Sequence, residues 1–301
     1  MLPPLDKILS FCIILSMMQL FNVDCRYCVI IKAGGACMIG AIIGDIVGSR
    51  FEWNNYRHKD FELFSDDCFV TDDSIMSIAL AKAILESKDD YSNLRENAIK
   101  YMRSIGIHYP DCGYGGRFYW WIFDDNPQPY NSFGNGSAMR VSSAGIAGKT
   151  LEEAIMLSKA ITEVTHNHPE GIKGAEAVAV AIFLAKSGQD IQNIKDYICD
   201  NYYKIDFTLD EIRDTYKFNE TCMNTVPQAL EAFFESVSFE DAIRNAISIG
   251  GDSDTIACIS GSIAEAYYGV SDELRSKAML YLDDRLRGIL EEFEIHYPLN
   301  K

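Results

Sequence analysis

The sequence predicts an all-α protein: one compact multi-helical domain with a binuclear metal cleft at helix N-termini. Three observations carry this prediction. Apolar residues recur at helical spacing along most of the chain, helix-start signals punctuate those runs, and two acidic clusters stand at the mouths of apolar helical segments. Strand signals are few and short, and no fixed-period repeat of the solenoid kind is present. At 301 residues and 48% hydrophobic, the chain can fill one large core or two modest ones. With only 8 prolines and no Ser/Gly-rich or charge-block segment, it offers no linker along which to divide.

In chain order, the first feature is an apolar run from Ile8 to Phe21, preceded by a single Lys and followed by Asn, Asp and Arg. It is short for a membrane span, and it lacks the basic start and small-residue cleavage point of a signal peptide. Residues 1–37 therefore read as an N-terminal extension to a domain occupying 38–301, with a start of translation at Met38 as the alternative. From Met38 a helix with a clean apolar period begins, and Gly40, Gly44 and Gly48 fall four apart on one stripe. Glycine lowers helix propensity, so such a stripe points to close backbone packing against a neighbouring helix. A second helix follows Ser74, with Ile75, Ile78, Ala79, Lys82 and Ala83 at helical spacing. Capping-box patterns open further helices at Thr150–Glu153, Thr208–Glu211 and Ser238–Asp241. Ala175 to Lys186 reads as helix, and Ile256, Ile259, Ile263 and Ala264 mark a last one after Thr255.

The formal charge of −17 argues against a nucleic-acid surface, because phosphate backbones are bound by clustered Lys and Arg. Anionic small molecules stay open, since backbone amides, helix N-termini and bound cations can hold a pyrophosphate in an acidic protein. The 9 cysteines are scattered, without the paired spacing of a zinc site or a disulfide framework. Reduced thiols in a cytoplasmic protein fit best, with no membrane partner and a monomeric state expected. Cys25 and Cys28 form a lone CxxC pair outside the main body.

The acidic clusters are Thr71-Asp72-Asp73-Ser74 and Gly251-Asp252-Ser253-Asp254-Thr255. Thr, Asp and Ser are preferred helix caps, and acidic groups favour the positive end of the helix dipole, so either cluster alone can be a cap. Together they carry more carboxylates than capping needs. Hard divalent cations want oxygen ligands, and two cations close together need several carboxylates to offset their charge. Gly250-Gly251 lets the backbone bend sharply ahead of the second cluster. Glu52 beside Trp53, at the end of the first helix, is either a surface acid or a proton-transfer group with a raised pKa. Gly113-Tyr114-Gly115-Gly116 and Gly134-Asn135-Gly136 leave amides exposed; they read as turn chemistry or as a phosphate cradle with Phe133 or Tyr114 stacking on a base. His166 and His168 precede a proline, where loop hydrogen bonding is the ordinary role for His-x-His.

Taken in order, Gly44-Asp45, Glu52, Thr71-Asp72-Asp73-Ser74, Gly113-Tyr114-Gly115-Gly116, Gly134-Asn135-Gly136-Ser137-Ala138-Met139-Arg140, Thr165-His166 and Gly251-Asp252-Ser253-Asp254-Thr255 resemble the ADP-ribosylglycohydrolase family, which includes the dinitrogenase reductase-activating glycohydrolases. The resemblance runs from about Met38 to the C-terminal helices. It implies an all-α fold with two Mg²⁺ or Mn²⁺ ions held by Thr71, Asp72, Asp73, Asp252, Asp254 and Thr255. Glu52, Asp72 and Asp254 are the implied catalytic residues, and Gly115, Ser132, Phe133, Asn135 and His166 the implied ADP-ribose contacts. The implied reaction is hydrolysis at C1″ of ADP-ribose, removing it from a modified protein or small acceptor. A non-catalytic ADP-ribose binder and a two-metal nucleotide pyrophosphohydrolase are the alternatives.

Overall fold

The computed structural model describes residues 38–299; the expectations for residues 1–37, including the extension and the Cys25/Cys28 pair, lie outside them. The described residues are all-helical. The helices are α1 (Ile39–Ser49), α2 (Asp72–Leu85), α3 (Leu94–Gly106), α4 (Gly116–Phe123), α5 (Ser142–Ala147), α6 (Leu151–Thr162) and α7 (Pro169–Lys186). They continue with α8 (Ile191–Asn201), α9 (Leu209–Ile212), α10 (Cys222–Phe234), α11 (Phe239–Ile247), α12 (Ser253–Tyr268), α13 (Asp272–Met279) and α14 (Asp284–His296). Among the described residues the only β pairing is an isolated antiparallel bridge between Gly134 and Thr221.

The core is built on α1 and α12. Every residue of α1 is buried, as is α12 from Ser253 to Ala266, so the apolar spacing that marks both helices in the sequence is not matched by a solvent face opposite it. The glycine stripe explains how they fit together. A Cβ on Gly44 would lie 2.1 Å from the Ala257 carbonyl oxygen, and one on Gly40 would lie 2.4 Å from that of Gly261. Only the missing side chains let the two backbones approach this closely. At the start of α1, the buried Glu265 carboxylate of α12 accepts from the Gly40 amide at 2.7 Å, satisfying a helix N–H that has no partner within its own helix. Burial pushes Glu265 up to about 8 despite that bond.

Helix starts follow the capping signals. Thr208 and Glu211 form the full reciprocal box, while Thr150 and Ser238 cap the N3 amides of Glu153 and Asp241. In those two cases the acidic side chain reaches the residue before the cap, Lys149 and Val237 respectively. No helix among the described residues is long and apolar enough to cross a membrane. The described cysteines, Cys68, Cys112, Cys199, Cys222 and Cys258, are free thiols.

Candidate active site

The close packing of α1 on α12 brings the end of α1, the start of α2 and the start of α12 to one place. A Cβ on Gly48, in the last turn of α1, would touch the Asp254 backbone at 2.5 Å. Gly250 and Gly251 both have positive φ, 68° and 80°, and make the bend that delivers Asp252 to the N-cap of α12. The Asn55 side chain accepts from the Gly251 amide at 3.2 Å and holds that bend.

Asp45 organises the first acidic cluster, and the sequence reading gave it no role. It lies inside α1, fully buried, and accepts from the Thr71 amide (3.1 Å), the Thr71 hydroxyl (2.6 Å) and the Ser74 amide (3.1 Å). It thus fixes the first turn of α2 from another helix and sets which way the Thr71 oxygen points. The available signal was a charged residue in an otherwise apolar helix. Burial is the largest influence on Asp45 and pushes it up to about 7, with Asp254 repelling its charge and the Ser74 and Thr71 bonds opposing the shift.

The two clusters meet. The Thr255 hydroxyl donates to Asp73 Oδ2 at 3.3 Å, joining the start of α12 to that of α2. Ligand atoms of Glu52, Asp252 and Asp254 all lie within 4.8 Å of one another. Asn135 donates to Asp252 Oδ2 at 2.6 Å and to the Thr225 hydroxyl at 3.2 Å, so this side chain orients a carboxylate. Asp73 Oδ1 is buried and has no partner among the described residues.

The electrostatics follow from crowding. Burial, then repulsion by Asp254 and Asp72, raises the half-buried Glu52 to about 8. Burial, then Asp254 and Asp45, raises Asp72 to about 8. Asp73 and Asp252 are pushed well above the usual carboxylate range by burial and by Asp254, and burial raises Asp254 itself. Buried carboxylates that repel one another, one of them with a free lone-pair face, are a donor set suited to divalent cations, whose charge would relieve the repulsion.

These groups line a cleft of about 580 Å³, which Gly115, Ser132, Phe133, Asn135 and His166 also face. The twelve residues that the resemblance implied for metal, catalysis and ADP-ribose therefore border the same cavity. A Cβ on Gly115 or Gly116 would meet nothing within 4 Å, so no protein contact requires glycine there and the bare backbone leaves room for a ligand. Tyr114 does not reach the cleft. Its hydroxyl donates to the Gly106 carbonyl at 3.2 Å and its ring packs on Phe118, so of the two aromatics considered for stacking only Phe133, 44% exposed, lines the cleft.

The Asn135 loop is pinned from a distance. The Asn135 amide donates to the Glu220 carbonyl at 2.7 Å, and the Cys222 amide donates to the Phe133 carbonyl at 3.0 Å. The two histidines separate in role. His168 caps α7 by accepting from the Glu170 amide at 3.1 Å, whereas His166 is buried at the cleft wall. Arg140, to which the sequence reading assigned nothing, borders the cleft beside His166 with 1% exposure; Trp53, 79% exposed, stacks on Phe218 at the cleft edge.

The chain is similar to known proteins in sequence and in fold. The family profile for ADP-ribosylglycohydrolase matches residues 33–296. The chain is 24% identical to the ADP-ribosylhydrolase ARH3 of Homo sapiens, over 78% of this chain and 85% of that protein. It is 27% identical to the ADP-ribosylarginine hydrolase Tri1 of Pseudomonas putida, over 80% of this chain and 71% of that protein. A solved structure titled "ADP-ribosylglycohydrolase-related protein complex" shares the fold, with a TM-score of 0.61 at 19% identity, covering 86% of this chain and 95% of its own.

Proposed function

Because this chain belongs to the ADP-ribosylglycohydrolase family, we propose that it is a metal-dependent hydrolase that cleaves the glycosidic bond at C1″ of ADP-ribose and frees ADP-ribose from a modified protein or small acceptor. The observation that supports this most is the meeting of two acidic helix starts and Glu52 at one end of the cleft. Thr71, Asp72 and Asp73 from α2, with Asp252, Asp254 and Thr255 from α12, are the residues to hold two Mg²⁺ or Mn²⁺ ions. When bound, such ions supply positive charge and oxygen-binding positions for the distal ribose.

The chain's own residues do the rest. Asp45 and Asn135 keep Thr71 and Asp252 in single orientations, as second-layer hydrogen bonds do around metal ligands. Burial, the largest influence on Glu52, favours its protonated form, so this carboxyl is the group placed to give and take a proton. As the C1″ bond breaks, its electron pair leaves with the acceptor atom, which takes the Glu52 proton. The oxygen of an incoming water bonds to C1″, and a proton of that water returns to Glu52. The neighbouring carboxylates offset the positive charge that builds at C1″. Phe133 offers its face to the adenine, and Gly115, Ser132 and His166 line the space for the pyrophosphate and riboses.

Incubation with ADP-ribosylated protein tests the reading. Free ADP-ribose should appear with Mg²⁺ or Mn²⁺ and cease on chelation. Release of AMP would identify a pyrophosphohydrolase, and tight binding of ADP-ribose without turnover would identify a binder.

A further inference from the structure

Arg140 is a buried cation with no carboxylate in hydrogen-bond reach, and Asp72 and Asp73 attract its charge only from farther away. One guanidinium nitrogen donates to the Thr165 hydroxyl at 2.6 Å and lies 3.3 Å from His166 Nδ1; the Phe118 ring lies 4.8 Å beneath its carbon; Nε has no partner among the described residues. Burying a guanidinium this way is costly, and a purely structural role would be met better by an apolar side chain of similar volume. What the position offers is a direction for hydrogen bonds. A guanidinium has donors and no acceptor.

The Thr165 hydroxyl lies 2.8 Å from His166 Nδ1, and that bond could run either way if the pair stood alone. Arg140 fills one acceptor site on the Thr165 oxygen, whose hydroxyl hydrogen can point at Nδ1 or at the Thr162 carbonyl 3.4 Å away, so this bond alone does not fix the proton. Arg140 removes the choice by placing its own N–H groups beside Nδ1, where a second N–H would face them donor to donor. Rotating the ring by half a turn offers no escape, because a carbon would then face both the hydroxyl and the guanidinium. The ring is held in place by Tyr130 at 5.8 Å, and a Cβ on Gly171 would sit 3.1 Å from the His166 Cβ.

We propose that Arg140 is a positioning residue that, by setting its own N–H groups beside Nδ1, fixes the His166 proton on Nε2 and so presents an N–H donor to a ligand oxygen beside the Gly134–Gly136 turn. Nε2 is the atom on that side: a Cβ on Gly136 would lie 3.5 Å from it, and one on Gly134 3.6 Å. The ligand atom recognised is a hydroxyl or phosphate oxygen of the sugar-pyrophosphate, which rests on the function proposed above. The charged and titratable groups facing His166 are Arg140 and Tyr130, and burial together with Arg140 holds the imidazole well below its usual range, so it stays uncharged.

The test is imidazole ¹⁵N NMR on the whole protein without ligand, with His166 assigned by comparison with H166Q. Because it needs no substrate, it is read whether or not ADP-ribose is the ligand. The expected result is one tautomer, protonated on Nε2 only, across pH ~5 to ~8. T165V should keep that tautomer, since Arg140 remains beside Nδ1. R140M should lose it, mixing the two tautomers and moving protonation to higher pH, and should raise KM by roughly 10-fold with a smaller change in kcat. An Nδ1 proton in the unaltered protein, a switch of tautomer in T165V, or an unchanged spectrum in R140M would each overturn the assignment. If R140M fails to fold, the first two spectra still decide it.

Discussion

The cleft is lined by two kinds of structure that satisfy their polar groups in opposite ways. On the helix starts of α2 and α12, carboxylates are concentrated, buried and mutually repelling, and Asp73 Oδ1 has no partner among the described residues. On the loops at Phe133–Ser137 and Thr165–His166, backbone and side-chain groups are already paired within the protein, through Glu220, Thr165 and Arg140. The first lining is finished by something added to it, while the second is finished by the fold. The proposed cations would sit on the first, and the second would meet the sugar-pyrophosphate.

The largest expected effect is on the first lining. Asp72→Ala or Asp254→Ala should lower kcat at least ~1000-fold, with cations present in excess, measured as ADP-ribose released from a modified protein. Full turnover in either would remove the acidic lining from the chemistry. Asp45→Asn comes next. It keeps the shape but weakens acceptance from the Thr71 hydroxyl and two α2 amides, so metal affinity should fall by roughly 10 to 100-fold, as loss of an outer hydrogen bond to a ligand does. An unchanged affinity by calorimetry would show that Asp45 only caps α2.

Phe133→Ala belongs to the second lining and should act on binding alone. KM should rise about 5 to 10-fold for loss of one aromatic face, with kcat and metal affinity unchanged. A fall in kcat without a change in KM would erase the division between the two linings. The smallest effect on turnover is expected at Glu265, a buried acid away from the cleft. Its pKa rises from 4.5 to about 8 on folding. The folded protein therefore keeps a proton that the unfolded chain has lost, and stability present below pH 4.5 is lost as pH rises through about 8. Glu265→Gln should flatten that fall in thermal unfolding profiles and leave kcat unchanged; an identical pH profile would show that Glu265 does not titrate in this range.

The fold was readable because its signals are local. Apolar spacing after Ser74 and Thr255, the Thr208–Glu211 box and the Gly40/Gly44/Gly48 stripe each depend on residues within a few positions, and each appears as expected. The acidic clusters were readable for the same reason. What escaped depends on distant pairings: Asp45 acts on Thr71 across 26 positions, Arg140 on Thr165 across 25, and Asn135 on Asp252 across 117. Tyr114 shows the same limit in reverse, since the glycines around it suggested exposure, yet its packing on Phe118 and its bond to Gly106 turn it inward.

Joint binding of cations by the two helix starts is the central claim, and calorimetric titration with Mn²⁺ of the intact protein, Asp72→Ala and Asp252→Ala tests it most directly. Two sites in the intact protein, with both lost or both weakened by either substitution, is the predicted result. One site surviving at full affinity in each variant would mean that the clusters bind independently, and would contradict it.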